Sequence, residues 1–323
     1  MSLLHQSFLH FPGIGPHRAA RLAECGIREW EDLLGLTVSD RLPFPAALLP
    51  ALQETARENI EADRTGNLAF FIRSLNCGDR WRLLHDNWNR CTFLDIETSG
   101  LERASEITVI SCWNGKEEKL FVSGENLEEF PDYILSVPLL VTFNGATFDL
   151  PVICGYFNLP EIPVPHVDMR WVCHRCELDG GLKAIERQLG LTRPDDLTET
   201  NGQEAIELWS RWSQDGIAEA RTKLLRYCAA DTIALQHVAA AVLSAQSENR
   251  QAFRLSPQDH WQYLNRLLPP AAMAAPGPST APSASRNAPP ATQAQDEPPE
   301  DSRRLSALQQ RLKAFLNTRK GQR

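Results

Sequence analysis

The sequence predicts an α/β domain, a mixed five-stranded sheet flanked by helices, with a small helical region before it and a linker and helix after it. Three observations carry this. Strand-like and helix-like patterns alternate between residues 88 and 247. The 45–75 segment has apolar residues at helical spacing, and 269–301 holds nine prolines among Ala, Ser, Thr and Gln. The 42% hydrophobic and 23% charged residues are those of a globular chain able to bury a core.

Taken in order, residues 1–36 hold a short Gly-rich turn between helical stretches, and 37–87 form a helical connector in which Leu48, Leu49, Leu52 and Ile60 share a face. CTFLDIE (91–97) reads as a buried strand. ITVISCWN (107–114) and EEKLFVSG (117–124) form a hairpin around Asn114-Gly115, whose residues suit the left-handed conformation of a two-residue turn. ENLEEFPDYILS has helical spacing, and VPLLVTFN (137–144) is a near-continuous apolar strand. A short helix over 147–157 tolerates Pro151 in its first turn. PHVDMRW (165–171) is a short strand, and helices at 181–189, 202–213 and 216–246 complete the domain. Residues 248–268 are a helical extension, 269–301 a disordered linker, and 302–323 a basic amphipathic helix.

Net charge is −8, but the tail from Ser302 to Arg323 carries seven Lys and Arg and no acid, so the other 301 residues carry −15. Every apolar run is interrupted by Arg, Asp, Glu or Pro, so the sequence suggests no membrane span. The N-terminus lacks the basic start and long apolar stretch of a secretory signal, and a cytoplasmic address is the expectation. The eight scattered cysteines read as reduced, mostly buried thiols.

Asp95 and Glu97 are two apart on a strand, so both leave the same face of the sheet. Among Phe93, Leu94 and Ile96 they would repel each other and lose hydration, which calls for a strand end or a cation. The bland alternative is a turn formed by Asp95 with Thr98, Ser99 and Gly100. Asp149 lies near a helix start, where capping is the alternative role. Tyr227 and Asp231 are four apart, which puts phenol and carboxylate on one helix face.

Together, LDIET (94–98), the run from Asn144 to Asp149, and Tyr227-x-x-x-Asp231 resemble the three motifs of the DnaQ-like (DEDDy) exonuclease superfamily on the RNase H-like fold. The likeness is nearest to the YprB-like RNase H-like domain, with GLKAIERQLGL (181–191) fitting that pattern, and more distantly to the proofreading domains of family B DNA polymerases. The resemblance spans roughly 88–247 and implies a 3′–5′ exonuclease using two divalent ions, Mg²⁺ or Mn²⁺. It implies that Asp95 bridges both ions, Glu97 and Asp231 complete one, Asp149 helps hold the other, and Tyr227 orients the attacking water. Asn144 and Phe148 would position the terminal nucleotide, with core packing the alternative for Phe148. The competing functions are an RNA-processing exonuclease and a non-catalytic nucleic-acid-binding scaffold that kept the fold.

FPGIGPHRAARLAECGI (11–27) resembles a helix-hairpin-helix motif. Gly13 and Gly15 would expose backbone amides to a phosphate at a helix N-terminus, with His17 and Arg18 beside them, which tilts the substrate from RNA toward DNA. The alternative is a turn in a protein-contact module. Cys173-His-Arg-Cys176 has no second pair for structural zinc and reads as two thiols on a helix. His237 reads as packing or surface. The tail, with Leu305, Leu308, Leu312 and Phe315 at helical spacing, would contact nucleic acid or a protein partner at the end of its tether rather than a membrane.

Overall fold

The structure, a computed structural model, describes residues 2–100, 105–247 and 250–270. The tail helix and the linker beyond residue 270 therefore lie outside the described residues.

Five helices precede the sheet: α1 (Pro16–Glu24), α2 (Trp30–Leu34), α3 (Leu49–Arg64), α4 (Leu68–Ser74) and α5 (Trp81–Asp86). Pro16 occupies the first position of α1, where its missing N–H costs nothing. Glu29 and Asp32 close a reciprocal capping box on α2. On α3, Leu49, Leu52, Ala56 and Asn59 recur every three or four residues and form its buried face. One expectation is corrected here. Residues 3–6 and 9–12 form turns, so no helix precedes the Gly13–Gly15 segment among the described residues, and the expected helical pair is reduced to α1 alone. Leu4, Phe8 and Phe11 are buried at helical spacing, but the backbone closes in separate turns, with the Ser7 N–H on the Leu4 carbonyl and the Phe11 N–H on the Phe8 carbonyl, instead of continuing as a helix.

The sheet has the order β3-β2-β1-β4-β5. The strands are β1 (Cys91–Thr98), β2 (Ile107–Trp113), β3 (Glu118–Val122), β4 (Leu139–Thr142) and β5 (His166–Asp168). β1, β2 and β3 form an antiparallel meander, while β4 and β5 run parallel to β1. This is the mixed five-stranded sheet the sequence predicts. The fifth strand is shorter than expected, because Asp168 caps a helix with its carboxylate on the Arg170 N–H and ends the strand.

Seven further helices follow: α6 (Phe130–Ile134), α7 (Asp149–Tyr156), α8 (Met169–Arg175), α9 (Leu182–Gln188), α10 (Gly202–Asp215), α11 (Ala218–Gln246) and α12 (Pro257–Leu267). Two cores divide the sheet by residue parity. Leu94, Ile96, Ile110 and Leu140 pack with Phe130, Ile134, Val152 and Ile153 of α6 and α7. Phe93, Val109, Trp113 and Val141 pack on the opposite face with α11 and the N-terminal helices. Alternation along each strand sends neighbouring side chains to opposite layers.

α11 spans 29 residues and is long and apolar enough, by length and composition, to cross a membrane, which the sequence reading missed. It is mostly buried inside the protein, as expected of a core helix apolar on all sides.

Candidate functional site

The odd-numbered face of β1 carries Asp95 and Glu97 toward α11, in line with buried Cys91 and Phe93. α11 answers with Tyr227, Cys228 and Asp231, all buried. Cys228 Sγ donates weakly to the Asp95 backbone carbonyl and to its Oδ2, both at 3.9 Å. Ligating atoms of Asp95, Glu97 and Cys228 lie within 4.8 Å of one another.

Asp149 arrives from the opposite layer. It opens α7, whose body packs under the other face, so the carboxylate meets β1 only at the end of the helix. The Ile96 backbone N–H and its own N–H bond the carboxylate, so it does not serve as the cap expected in the bland alternative.

These four acids repel one another. Burial, then Asp231, Asp149 and Glu97, push the Asp95 carboxyl well above the usual range. Glu97 is displaced the same way by burial and by Asp231 and Asp149. Asp149 is pushed up to about 7, mainly by burial, with Asp168 and Asp231 adding repulsion. Burial and the acids around it also push the Tyr227 phenol up, so it keeps its proton at neutral pH.

Two cations oppose this charge. Arg193 is buried, forks its Nε (2.7 Å) and Nη2 onto Glu186, and shares Nη2 with Asp231. Despite burial, these acids hold the guanidinium firmly charged. Lys183 Nζ sits 4.6 Å from the Tyr227 ring centroid and donates to the Thr200 carbonyl. Burial lowers the Lys183 ammonium, and Asp231 draws it back up.

The loop from β4 to α7 is fixed by Asp168. Its carboxylate accepts from the Asn144 N–H (2.8 Å), the Ala146 N–H (3.0 Å) and the Arg170 N–H (3.0 Å). Asn144 has φ +65°, an unusual conformation that these bonds over-determine. Its Oδ1 accepts from Thr147 Oγ1 (2.8 Å) and Arg170 Nη1 (2.6 Å). Gly145 must be glycine, because a Cβ there would meet Thr142 Oγ1 at 2.2 Å.

An open cleft of about 920 Å³ begins at Asp95, Tyr227 and Asp231 and passes Phe143, Asn144, Arg170, His174, Gly180, Lys183 and Arg187. Of the residues singled out from the sequence, Asp95, Asn144, Tyr227 and Asp231 line this cleft, while Glu97 and Asp149 are buried beside Asp95 without lining it. Phe148 is not in the cleft lining. Its half-buried ring packs on the α6–α7 core, and Phe143 lines the cleft instead. Gly13, Gly15, His17 and Arg18 lie elsewhere and none lines the cleft. Gly13 has φ +71°, Gly15 caps α1, and Arg18 Nη1 donates to the Gly13 carbonyl, which draws the guanidinium over the turn. His17 is exposed beside it.

Arg193, Glu186, Lys183, Cys228 and Asp168 were not picked out as site residues from the sequence. No spacing rule links Arg193 to Asp231, 38 residues away. Lys183 had a signal in the GLKAIERQLGL run, and Asp168 in its place after an apolar strand. Cys173 lies within α8 and Cys176 caps it, with Gln246 Nε2 donating to the Cys176 sulfur at 3.8 Å. Among the described residues, the metal-ligating atoms gather at Asp95, Glu97 and Cys228 rather than at this pair. His237 is buried against His260, with ring nitrogens 3.0 Å apart.

Residues 92–243 match the RNase_H_2 family model, described as RNase_H superfamily. The fold is RNase H-like. Among solved structures, the family B DNA polymerase from the hyperthermophilic archaeon Pyrobaculum calidifontis is similar, with TM-score 0.37 and 13% identity over 55% of this chain. The match covers 29% of that polymerase. No curated protein matches.

An RNase H-like domain with this acidic cluster points to a nuclease, a hydrolase acting on nucleic acid with divalent metal as its cofactor class. The residues fit that class. Asp95, Glu97 and Asp149 are hard oxygen ligands crowded where desolvation and repulsion oppose their ionisation, and a bound cation relieves both.

Proposed function

We propose that the chain is a 3′–5′ exonuclease that hydrolyses phosphodiester bonds of DNA with Mg²⁺ or Mn²⁺. The observation that carries the reading is the convergence of Asp95 from β1 with Tyr227 and Asp231 from α11 at the head of one cleft, with Glu97 of β1 and Asp149 of α7 buried behind them and close enough to push on the Asp95 carboxyl. The three segments come from different layers, and packing alone has no need of four acids in one place.

Asp95, Glu97, Asp149 and Asp231 would hold two ions, which when bound supply charge stabilisation for the attacking and leaving oxygens. Tyr227, with its phenol protonated and its ring fixed beside Lys183, orients the attacking water by hydrogen bonding and does not abstract its proton. Arg193 holds Asp231 in place through the Glu186 pair and tempers the negative charge of the site. Lys183 presents an ammonium to the phosphate side of the cleft. Asn144, held by Arg170 and Thr147, lines the place of the terminal nucleotide.

The preference for DNA rests on the Gly13–Gly15 turn, whose positive-φ glycine and following α1 N-terminus suit a phosphate, with His17 and Arg18 nearby. The basic segment 302–323 is proposed to bind nucleic acid or a protein partner.

The test is hydrolysis of end-labelled single- and double-stranded DNA and RNA in Mn²⁺. Stepwise release of mononucleotides from the 3′ end is expected, abolished in Asp95→Asn and slowed in Tyr227→Phe with binding retained. Undiminished cleavage by Asp95→Asn refutes the assignment.

A further inference from the structure

One wall of the cleft is α8. Met169, Val172 and Cys173 are its buried face, so Arg170, Trp171, His174 and Arg175 point outward. Arg170 and His174, four apart, line the cleft. Arg175 is tied back, forming an ion pair with Asp79 at 3.3 Å and packing on Gly78, where a Cβ would meet Arg175 Cδ at 2.9 Å. Arg175 thus ties down one edge of the helix, whose outward face also carries an aromatic.

That aromatic is Trp171, 49% exposed. Trp171 does not itself line the cleft; it follows Arg170 and lies three residues before His174, both of which do, so its exposed side chain stands just outside the cleft-lining edge of α8. Across the cleft, α9 contributes Lys183 and Arg187. Away from the carboxylate cluster, the acid on these walls is Asp179, set against Arg170, His174, Lys183 and Arg187. In a chain of net charge −8, this concentration of basic groups beside an exposed indole favours a polyanion that also offers flat apolar faces. Single-stranded DNA has both. A duplex keeps its base faces stacked, so it offers the indole nothing to stack on.

We propose that the outer edge of α8, centred on Trp171, is a stacking platform for the single-stranded DNA that leads away from the cleaved end. This rests on the nuclease reading for the direction of the strand, but binding can be measured apart from cleavage. The platform makes this enzyme a trimmer of single-stranded ends, with the phosphates following Arg170, His174 and Arg187 and a base lying on Trp171.

The experiment is fluorescence anisotropy of 5′-fluorescein dT₁₂, rU₁₂ and a 12-base-pair duplex with the full-length protein. Ca²⁺ serves as an oxygen-ligated divalent ion. Stacking on an aromatic is worth about 1–3 kcal/mol per base, so Trp171→Ala should weaken dT₁₂ by about tenfold or more. Trp171→Phe should stay within about threefold of wild type, and Trp171→Ala should leave duplex binding unchanged. The proposal is overturned if wild type does not bind dT₁₂, or if Trp171→Ala binds it as tightly as wild type. It is equally overturned if that variant weakens duplex to the same degree, if Trp171→Leu binds as well as Trp171→Phe, or if only rU₁₂ depends on Trp171. The Trp171 side chain is exposed, and circular dichroism checks that the variants fold. A wild type that binds in this pattern yet hydrolyses nothing in Mn²⁺ removes the nuclease reading and leaves the platform. Normal hydrolysis with Trp171-independent binding does the reverse.

Discussion

Replacing Asp149 with Asn should inactivate the site and, without metal, make the protein more stable. In the folded chain burial and the neighbouring acids push Asp149 from its ordinary 3.8 up to about 7. At about 1.4 kcal/mol per tenfold change in proton affinity, keeping it ionised at pH 8 costs on the order of 4 kcal/mol. An Asn removes that charge while its amide oxygen still accepts from the Ile96 N–H. It also relieves Asp95 and Glu97, both of which Asp149 pushes upward. A carboxyl whose folded pKa is raised contributes stability below its unfolded value and loses it as pH rises through the folded value. The gain of Asp149→Asn should therefore be near zero below about pH 4, grow between 4 and 7, and level off by pH 8. The measurement is urea denaturation of both proteins in EDTA across that range, with an expected gain of about 2–4 kcal/mol at pH 8. Added Mn²⁺ should stabilise the wild type more than the variant. A variant no more stable than wild type at pH 8, or a gain that does not shrink on acidification, refutes the electrostatic account of the cluster.

Three further outcomes follow from the same geometry. Arg193→Ala leaves Glu186 buried without its partner and should destabilise the fold by about 3–5 kcal/mol; Glu186→Leu in the same chain should recover part of that in a denaturation curve. Gly145→Ala drives a Cβ into Thr142 and should both lower the melting temperature and reduce nuclease activity by displacing the Asn144–Asp149 loop, whereas Gly15→Ala, which meets no atom within 4 Å, should leave melting unchanged. Burial pushes His237 down to about 4, so its contribution is intact above about pH 6.5 and falls away as pH drops toward 4; the stability advantage of wild type over His237→Gln should narrow by about 1 kcal/mol between pH 7.5 and 5.5, and a constant difference would exclude the titration.

The sequence by itself determined most of the sheet and put Asp95 and Glu97 on one of its strands. Period-two alternation around Asp95 and Glu97 fixes which face they share, and Asn114-Gly115 marks the turn after β2, although it is a four-residue loop, 114–117, in which Gly115 alone is left-handed, rather than a two-residue turn. The four-residue spacing of Tyr227 and Asp231 is equally local. Tertiary structure decided what no local rule reaches. Asp149 belongs to a helix of the opposite layer and reaches the site because α7 begins beside the end of the central strand, where the Ile96 N–H bonds its carboxylate. Phe143 rather than Phe148 lines the cleft, on a loop whose path is held by the Asn144 and Ala146 N–H groups bonding Asp168, distant in sequence but brought close by the pairing of β4 and β5. The segment before Gly13 closes in separate turns rather than a helix, although Leu4, Phe8 and Phe11 are buried at helical spacing, so its apolar pattern alone did not decide its backbone. The charge on Asp231 is shared with Arg193, and that pairing exists only where long-range packing brings two buried ions to one point.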